Sequence, residues 1–590
     1  MNTQTMTARA MKALRPPPRL RLSDWLERDI RLPEGVSALP GKVRLYPYQR
    51  EIADAIGDTT IERVTLVKAV RVGFTTLLTG AVGSFVANDP APIIALLPTD
   101  DDARDYVVSD IEPIFAASPV LAGLLSGDTT EGQRDTMMSR RFPGGSLKVL
   151  AAKAPRNLRR HNARVLFIDE ADAMSPTPEG SPLMLAERRT LSFPDRKIVI
   201  GSTPIDTATS NVLRAYAQSD QRVFEVPCPD CGHHHEIKWA DIRWPDGEPA
   251  KAYYACPECG SCIEERQKAE MVANGRWRAT APHVAGHAGF RINALVSPLA
   301  NAAWGKLATE FLAAKDDPDT LRTFINTILA EGTGDDGDTG LDEVELLGRV
   351  EPFGIGAIPP DVLYLTVGVD VQDDRLEAAI VGWDREGTAY VLDHQYLWGS
   401  PGDNATWSAL DELLTARWRH PLGGMIGVDA ACVDSGDGDW TTAVYRFCHP
   451  RARRRVMAIK GMAGSRAVIE RSKSKSGGGP LWIVGVDGVK RTIVDRLTRG
   501  VKLRFSDSLP LVWFEQLASE RRVVRYSRGQ PVARWERKPG RAAEALDCTV
   551  YAFAARQVVG SNFDNRDAEL RQEQKPVVRP RTIKSEWMNQ

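Results

Sequence analysis

Short, unbroken apolar runs recur through the first third of the chain: Arg63–Val67, APIIALLP (Ala91–Pro98), Val165–Ile168 and KIVIGSTP (Lys197–Pro204). Apolar runs without polar alternation predict strands buried on both faces, as in a parallel sheet. Helical patterns lie between them. One covers Leu45–Ile56, one starts near Thr75, and one follows an N-cap at Thr99 or Asp100. Strands alternating with helices predict a doubly wound α/β domain. A further helix is expected from Ser23, a good N-cap ahead of DWLERDI. Glu331–Pro360 is rich in Gly, Asp and Pro and predicts an inter-domain linker. After it, VLYLTVGVDVQDDRLEAAIVGWDREGTAYVLDHQYLWG reads as a three-stranded meander. The apolar strand MIGVDAACVDSG follows, and much later comes an amphipathic helix, RAAEALDCTVYAFAA (Arg541–Ala555), whose apolar face Asp547 interrupts.

Chemistry sits at the ends of these elements. The run Val165–Ile168 leads straight into Asp169 and Glu170, at the strand end where open α/β sheets place their ligands. In a nucleotide hydrolase the first carboxylate would hold Mg²⁺ through its waters and the second would polarise the attacking water. The turn KAVRVGFTT (Lys68–Thr76) lies between a strand and a helix, in the place of a phosphate loop, although it does not match GxxxxGK[ST]. Gly73 lets the backbone approach a phosphate, and the helix start offers free N–H groups. Thr75, followed by Thr76, is within reach of Mg²⁺, while Lys68 and Arg71 supply cations for the β/γ-phosphates. Just upstream, Tyr46 and Gln49 are expected to stack on and hydrogen-bond an adenine. Ser202 and Thr203, ending the neighbouring strand, are expected to sense the γ-phosphate. In this order and spacing, KAVRVGFTT, VLFIDEAD and GSTP resemble the large terminase subunit of tailed phages, in its lambda-type branch, where a deviant loop carries its lysine in front.

Of eight cysteines, four form two CPxCG knuckles, Cys228/Cys231 and Cys256/Cys259. Two such knuckles make a tetrahedral S₄ site suited to Zn²⁺, closed and therefore structural. Cys262 and His233–His235 are spare, the histidines read as exposed polar residues. Similar ribbons occur in lambda-type large subunits. Downstream, Asp370 ends an apolar run on a first strand, Asp434 lies on a middle strand and Asp547 on a late helix. Carboxylates so placed resemble an RNase H-like nuclease that holds two divalent ions, Mg²⁺ or Mn²⁺. Asp429, upstream on the Asp434 strand, is read as an alternative or fourth ligand.

The expected fold class is α/β: an N-terminal P-loop NTPase with a zinc-ribbon insertion, followed by an RNase H-like nuclease. The boundaries read as 1–44 N-terminal region, 45–225 ATPase core, 226–280 ribbon, 281–330 helical remainder, 331–361 linker, 362–558 nuclease and 559–590 disordered tail. The resemblance implies an ATP-driven motor that packages double-stranded DNA into a procapsid and cuts it to begin and end packaging. It also implies a small terminase subunit held by the N-terminus, a portal protein docked by the C-terminus, a homo-oligomeric ring and a setting in the host cytoplasm. Two other readings stand beside it: a cellular ATP-dependent helicase–nuclease, and a catalytically dead DNA-binding scaffold.

Bulk composition excludes little. The 590 residues are 43% hydrophobic with net charge −1, and no stretch reaches the ~20 apolar residues of a membrane span. Charge is uneven, however: RARRR (Arg451–Arg455), Arg466–Lys475 and Arg521–Arg541 are basic, and RSKSKSGGGP (Arg471–Pro480) reads as a flexible cationic loop suited to a DNA backbone.

Overall fold

A computed structural model describes residues 20–571 apart from 37–39, 71, 126–135, 335–341, 437, 465, 477–478, 528–529 and 561. Arg71 and the two extreme tails, for which the sequence raises expectations, lie outside the described residues. The chain divides into two compact units. One is built on the described residues up to Gly334 and the other on those from 342 onward, with short exchanges at Asp316–Asp319 and Tyr526–Val532.

The first unit is organised on a ten-stranded sheet. Helix α1 (Pro47–Gly57) precedes β1 (Arg63–Lys68), and α2 (Phe74–Ala87) follows it. Then come β2 (Pro92–Leu97), β3 (Ser139–Phe142), β4 (Gly145–Ala151), β5 (Val165–Asp169) and β6 (Lys197–Ser202). The sheet is completed by β7 (Arg222–Pro227), β8 (His234–His235), β9 (Arg276–Ala279) and β10 (His287–Ile292). The order is β8-β7-β10-β1-β6-β5-β2-β4-β3, with β9 beside β7. Pairing is parallel from β7 to β4, and β3, β8 and β9 join antiparallel.

Alternate residues of the central strands feed two separate cores. Ile93, Val165, Phe167 and Val199 pack with α1 and α2 on one face; Ile94, Leu166, Ile168 and Ile200 pack with Leu183 and Ala186 on the other. Burial on both faces is why these strands read as unbroken apolar runs. Two expectations need correction. The stretch 281–330 is not only helical, because His287–Ile292 inserts as β10 beside β1, where Ala288, Phe290 and Ile292 are buried. The helix expected from an N-cap at Ser23 is found, but its start is shifted. Helix Leu22–Asp29 opens one residue before Ser23, with Arg21 as its N-cap, and buries Trp25 and Leu26 in the main core.

The second unit has its own ten-stranded sheet. The meander β11 (Tyr364–Val371), β12 (Arg375–Trp383) and β13 (Ala389–Trp398) is antiparallel as the pattern predicts. Beyond it lie β14 (Met425–Asp434), β15 (Val456–Met462), β16 (Ile469–Ser476), β17 (Gly479–Gly485), α3 (Val486–Arg499) and β18 (Leu503–Ser506). Strands β11, β14, β15 and β17 run parallel in that order. Helix α4 (Glu544–Arg556) lies across β11 so closely that a Cβ at Gly368 would fall 1.9 Å from the Cys548 carbonyl oxygen.

Three sequence expectations fail here. The part of the expected linker from 342 onward is packed: Leu346, Phe353 and Ile358 are buried, and Val350–Glu351 pairs with β18. The described residues of the expected flexible loop, 471–476 and 479–480, instead belong to two antiparallel strands, β16 and β17, whose backbone pairing sets Ile469 opposite Val484. The described part of the expected disordered tail holds helix α5 (Phe563–Arg571), which is fastened by Leu570, 2% exposed.

Candidate functional site

At the carboxyl ends of β1, β5 and β6 the first unit gathers its charged side chains. Lys68 closes β1 and is only 7% exposed, rare for a lysine without partners. Strand β6 lies between β1 and β5, yet the Lys68 ammonium crosses it. Its Nζ donates to Glu170 Oε1 at 2.5 Å and lies 3.5 Å from Asp169 Oδ1. Burial works against this charge, but the two carboxylates outweigh it and hold the ammonium above its ordinary range. Burial pushes the Asp169 carboxyl up, against the pull of Lys68. Beneath the lysine, at 5.6 Å, lies the Phe74 ring, which fits because Gly201 has no side chain: a Cβ there would be 2.3 Å from Phe74 Cε1.

Glu170 leaves the strand with φ 52°, in the left-handed region, at a cost of about 1 kcal/mol for a residue with a side chain. Its carboxylate is thereby kept 46% exposed while Asp169 stays buried. Gly73, at φ 74°, forms the N-cap of α2, and the half-buried Thr75 and Thr76 occupy its first turn. The side chain of Gln49 braces this turn: its Nε2 donates to the Val72 carbonyl at 2.8 Å and its Oε1 accepts from Tyr46 N–H at 2.9 Å. Both ends of the Gln49 amide are thus engaged by the chain itself, which supports a brace rather than a base-reading group. Tyr46 stacks on Tyr48 at 5.5 Å. With Gly73, Thr76, Leu26 and Val43 it lines a cavity of about 690 Å³ beside the loop. The contribution of residues 20–44 to this cavity was missed from sequence; the clue was the apolar spacing around Trp25 and Leu26.

Ser202 is fully buried, its Oγ accepting from Asp172 N–H at 3.1 Å and donating to the Thr203 carbonyl at 3.0 Å. Asp172 went unnoticed in the sequence. Its carboxylate accepts from Ile205 N–H at 3.2 Å and Val212 N–H at 2.9 Å, so it ties the end of β5 to the segment leaving β6.

The four knuckle sulfurs all lie within 4.8 Å of one another, with Cys228–Cys259 at 3.8 Å and Cys231–Cys256 at 3.9 Å. Sulfurs 2.3 Å from a tetrahedral centre lie about 3.8 Å apart, so the donor set fits Zn²⁺. The two knuckles repeat one geometry: Gly232 (φ 72°) and Gly260 (φ 74°) turn back to donate to the Cys228 and Cys256 carbonyls, both at 2.9 Å. His235 is buried rather than exposed, stacked between His233 and Tyr254.

In the second unit Asp370, at the end of β11, is 8% exposed, and its carboxylate accepts from the Gln372 side chain at 2.6 Å. Burial, then Asp547 and Asp434, push its carboxyl up to about 7; burial chiefly raises Asp434 to about 6. Asp547 is offset by Lys490 at 3.1 Å and Arg537 at 3.7 Å. Glu544, one turn earlier on α4, was missed from sequence. Its Oε2 is buried without a hydrogen-bond partner, and its charge is felt at Asp370. An orphaned carboxylate oxygen beside two acids that resist ionising is the chemistry of a divalent-cation site. Asp429 does not join this centre. It occupies a bulge opposite Leu365/Thr366, accepts from Leu365 N–H at 2.9 Å and pairs with Arg566 at 3.0 Å. Five residues of strand separate it from Asp434, about 16 Å.

A parallel-sheet unit with a lysine bridged to an Asp–Glu pair, joined to a second unit with a buried acidic centre, defines a class of nucleotide hydrolase coupled to a nuclease. The comparisons narrow the class. Residues 37–277 match the family profile of the phage terminase large subunit gpA ATPase domain, and 287–569 that of the terminase large subunit gpA endonuclease domain. The chain belongs to the gpA family of phage terminase large subunits, and it is an ATPase and an endonuclease. It is 28% identical to the terminase large subunit of Enterobacteria phage P21 over 579 residues, covering 90% of this chain and 89% of that one. With the large subunit of Escherichia phage lambda it shares 27% identity over 584 residues, covering 92% and 90%. Among solved structures, the HK97 large terminase matches at 12% identity and TM-score 0.34, covering 90% of this chain and 98% of that one. The large terminase of a thermophilic bacteriophage, in complex with ATP-gamma-S, matches at 11% identity and TM-score 0.41, covering 86% and 98%. Among the described residues no helix is long and apolar enough to cross a membrane.

Proposed function

We propose that this large terminase subunit drives double-stranded DNA into procapsids through a P-loop-type ATPase centre made of Lys68, Gly73, Thr75, Thr76, Asp169 and Glu170. The observation that carries the assignment is the Lys68 ammonium, brought from the front of the loop to the Asp–Glu pair of a non-adjacent strand. Lys68 holds the β/γ-phosphates, Asp169 the Mg²⁺ of ATP·Mg²⁺, and Glu170 accepts the proton of the attacking water. Arg71 is proposed as a second cation. Tyr46 and the cavity beside the loop receive the base, Gln49 fixes the loop, and Ser202 and Thr203 pass the state of the nucleotide to the segment held by Asp172.

Asp370, Asp434, Asp547 and Glu544 are proposed to hold Mg²⁺ or Mn²⁺ in an RNase H-like nuclease. When bound, such ions supply activation of water and stabilisation of the leaving oxygen. Lys490 balances and orients Asp547. A structural Zn²⁺ on Cys228, Cys231, Cys256 and Cys259 fastens the ribbon. The small subunit, the portal protein, a working ring and a setting in the host cytoplasm complete the proposal by family. The helicase and scaffold readings lose ground, since both halves of the chain match terminase domains.

The test measures ATP hydrolysis and nicking of supercoiled plasmid in one preparation. Lys68→Ala and Glu170→Gln are expected to abolish hydrolysis and keep Mn²⁺-dependent nicking, and Asp370→Ala to do the reverse. Hydrolysis surviving Lys68→Ala would sink the loop assignment. Loss of both activities in any one folded variant would sink the separation of the two centres.

A further inference from the structure

The arginine run Arg451–Arg455 has no part in either centre. Its place in the fold is specific: it ends the 3₁₀ turn His449–Arg454 and leads into β15. Arg455 adopts φ 56°, a left-handed conformation that costs a side-chain-bearing residue about 1 kcal/mol. Beside it, Arg417 opens the short strand Arg417–Arg419 that pairs with β14. Arg417, Arg453, Arg454 and Arg455 line one concave pocket of about 330 Å³, floored by Gly427, Val428 and Val456.

The pocket is not neutralised. Arg454 pairs with Asp411, which Arg451 also holds at 2.9 Å. Asp429 reaches the pocket wall, but its carboxylate is committed to Arg566 and Leu365 N–H. Among the described residues no carboxylate lies within 4.0 Å of Arg417, Arg453 or Arg455, and all three are exposed. A solvated basic loop would be convex and spread its charges apart. Here three arginines without a carboxylate in ion-pair range line one hollow of a volume that admits a phosphate group, to which planar forks can give bidentate contacts, although the Arg455 charge is also felt by Asp429.

The pocket and the acidic centre lie at opposite ends of the same parallel strands. From Val428 to Asp434 is six residues of strand, about 20 Å. We infer that this pocket is a second DNA-binding site, gripping backbone phosphates of duplex DNA away from the point of cutting. The inference rests on the reading that this protein acts on DNA. Phosphate contacts position a duplex without reading its sequence, which suits a site that must accept any stretch of a genome.

The experiment is the salt dependence of binding of a 30-base-pair duplex to the full chain, followed by fluorescence anisotropy with divalent ions chelated. Each lost phosphate contact lowers the slope of log K against log salt by about 0.9. The variant Arg417→Gln/Arg453→Gln/Arg455→Gln is expected to lower the slope by about 2 to 3. The matching triple lysine variant keeps three charges and is expected to keep the slope. Wild-type binding with the same slope in the glutamine variant overturns the pocket. So does a slope lost equally with lysine in chains that melt like the wild type, because three retained charges would then have failed to retain the phosphate contacts. No duplex binding by the wild-type chain would count against the DNA reading itself, a different failure.

Discussion

Asp370→Asn should stabilise the metal-free protein at alkaline pH and abolish its stabilisation by metal. In the folded chain this carboxyl is moved from 3.8 to about 7, chiefly by burial and then by Asp547 and Asp434. One pH step in an acid's titration corresponds to about 1.4 kcal/mol, so the full displacement is worth about 4 kcal/mol. Because the folded-state value lies above that of the unfolded chain, the penalty is absent below about pH 4, where both states are protonated. It grows as pH rises and is complete above about pH 7. The neutral amide carries no such penalty. For a unit of this size the relief is roughly 8 to 16 °C in melting temperature, before part is returned as the neighbouring acids readjust. Thermal unfolding in chelator at pH 5 and pH 8.5 reads the effect: a variant stabilised by about 1.6 kcal/mol at the lower pH and by about 4 kcal/mol at the higher. With Mn²⁺ at a hundred times its dissociation constant the gap should narrow to about 1 to 2 kcal/mol, since the ion stabilises the wild type by about 2.7 kcal/mol and the variant has lost a donor. A variant destabilised equally at both pH values, or one still stabilised by Mn²⁺ to the wild-type extent, would refute the placement of Asp370 in an uncompensated acidic centre.

Other substitutions test the remaining assignments. Cys256→Ser should reduce bound zinc from about one ion per chain to none, read by metal analysis, and lower the melting temperature; a variant retaining stoichiometric zinc would refute the four-thiolate site. Arg566→Ala removes the partner of half-buried Asp429 and should cost about 2 kcal/mol in denaturant unfolding while leaving Mn²⁺ affinity unchanged; a fall in that affinity would return Asp429 to the acidic centre. Gly201→Ala should displace Phe74 from beneath Lys68 and raise the Michaelis constant for ATP several-fold, with plasmid nicking untouched; an unchanged constant would mean that the ring gives way freely.

The sequence disclosed most where physical chemistry demands local patterns. Strands buried on both faces must be apolar throughout, so β1, β2, β5 and β6 stood out, and β1 and β5 ended where their charged residues had to emerge. The knuckles were legible because two thiolates must turn onto one point within four residues. Long-range arrangement was harder to see. That β6 separates β1 from β5, so that Lys68 must reach over it, follows from strand order, to which no local pattern points. Strand β10 was lost among helices because a single strand between helical runs carries no period of its own. The packed stretch from 342 to 361 was hidden by its Gly and Pro, although Leu346, Phe353 and Ile358 are enough to fasten it.

The carboxylates show why residue type and rough position were not sufficient. Asp429 and Asp434 share a strand, and the sequence could not say which one faced the centre. The bulge decides it: the extra residue at Asp429 gives its carboxylate a backbone N–H and an arginine, so its charge is neutralised locally and has no need of a metal. Glu544 is the converse case. In the sequence it is one more polar residue at a helix start, where acids are ordinary. Only packing α4 against β11, at the contact that Gly368 permits, brings its unpartnered oxygen into the neighbourhood of Asp370. Asp429, held by Arg566 and a backbone N–H at one end of its strand, belongs to the architecture. Asp370, Asp434 and Glu544, gathered with their charge uncompensated, belong to the chemistry together with Asp547, whose charge Lys490 balances at the same centre.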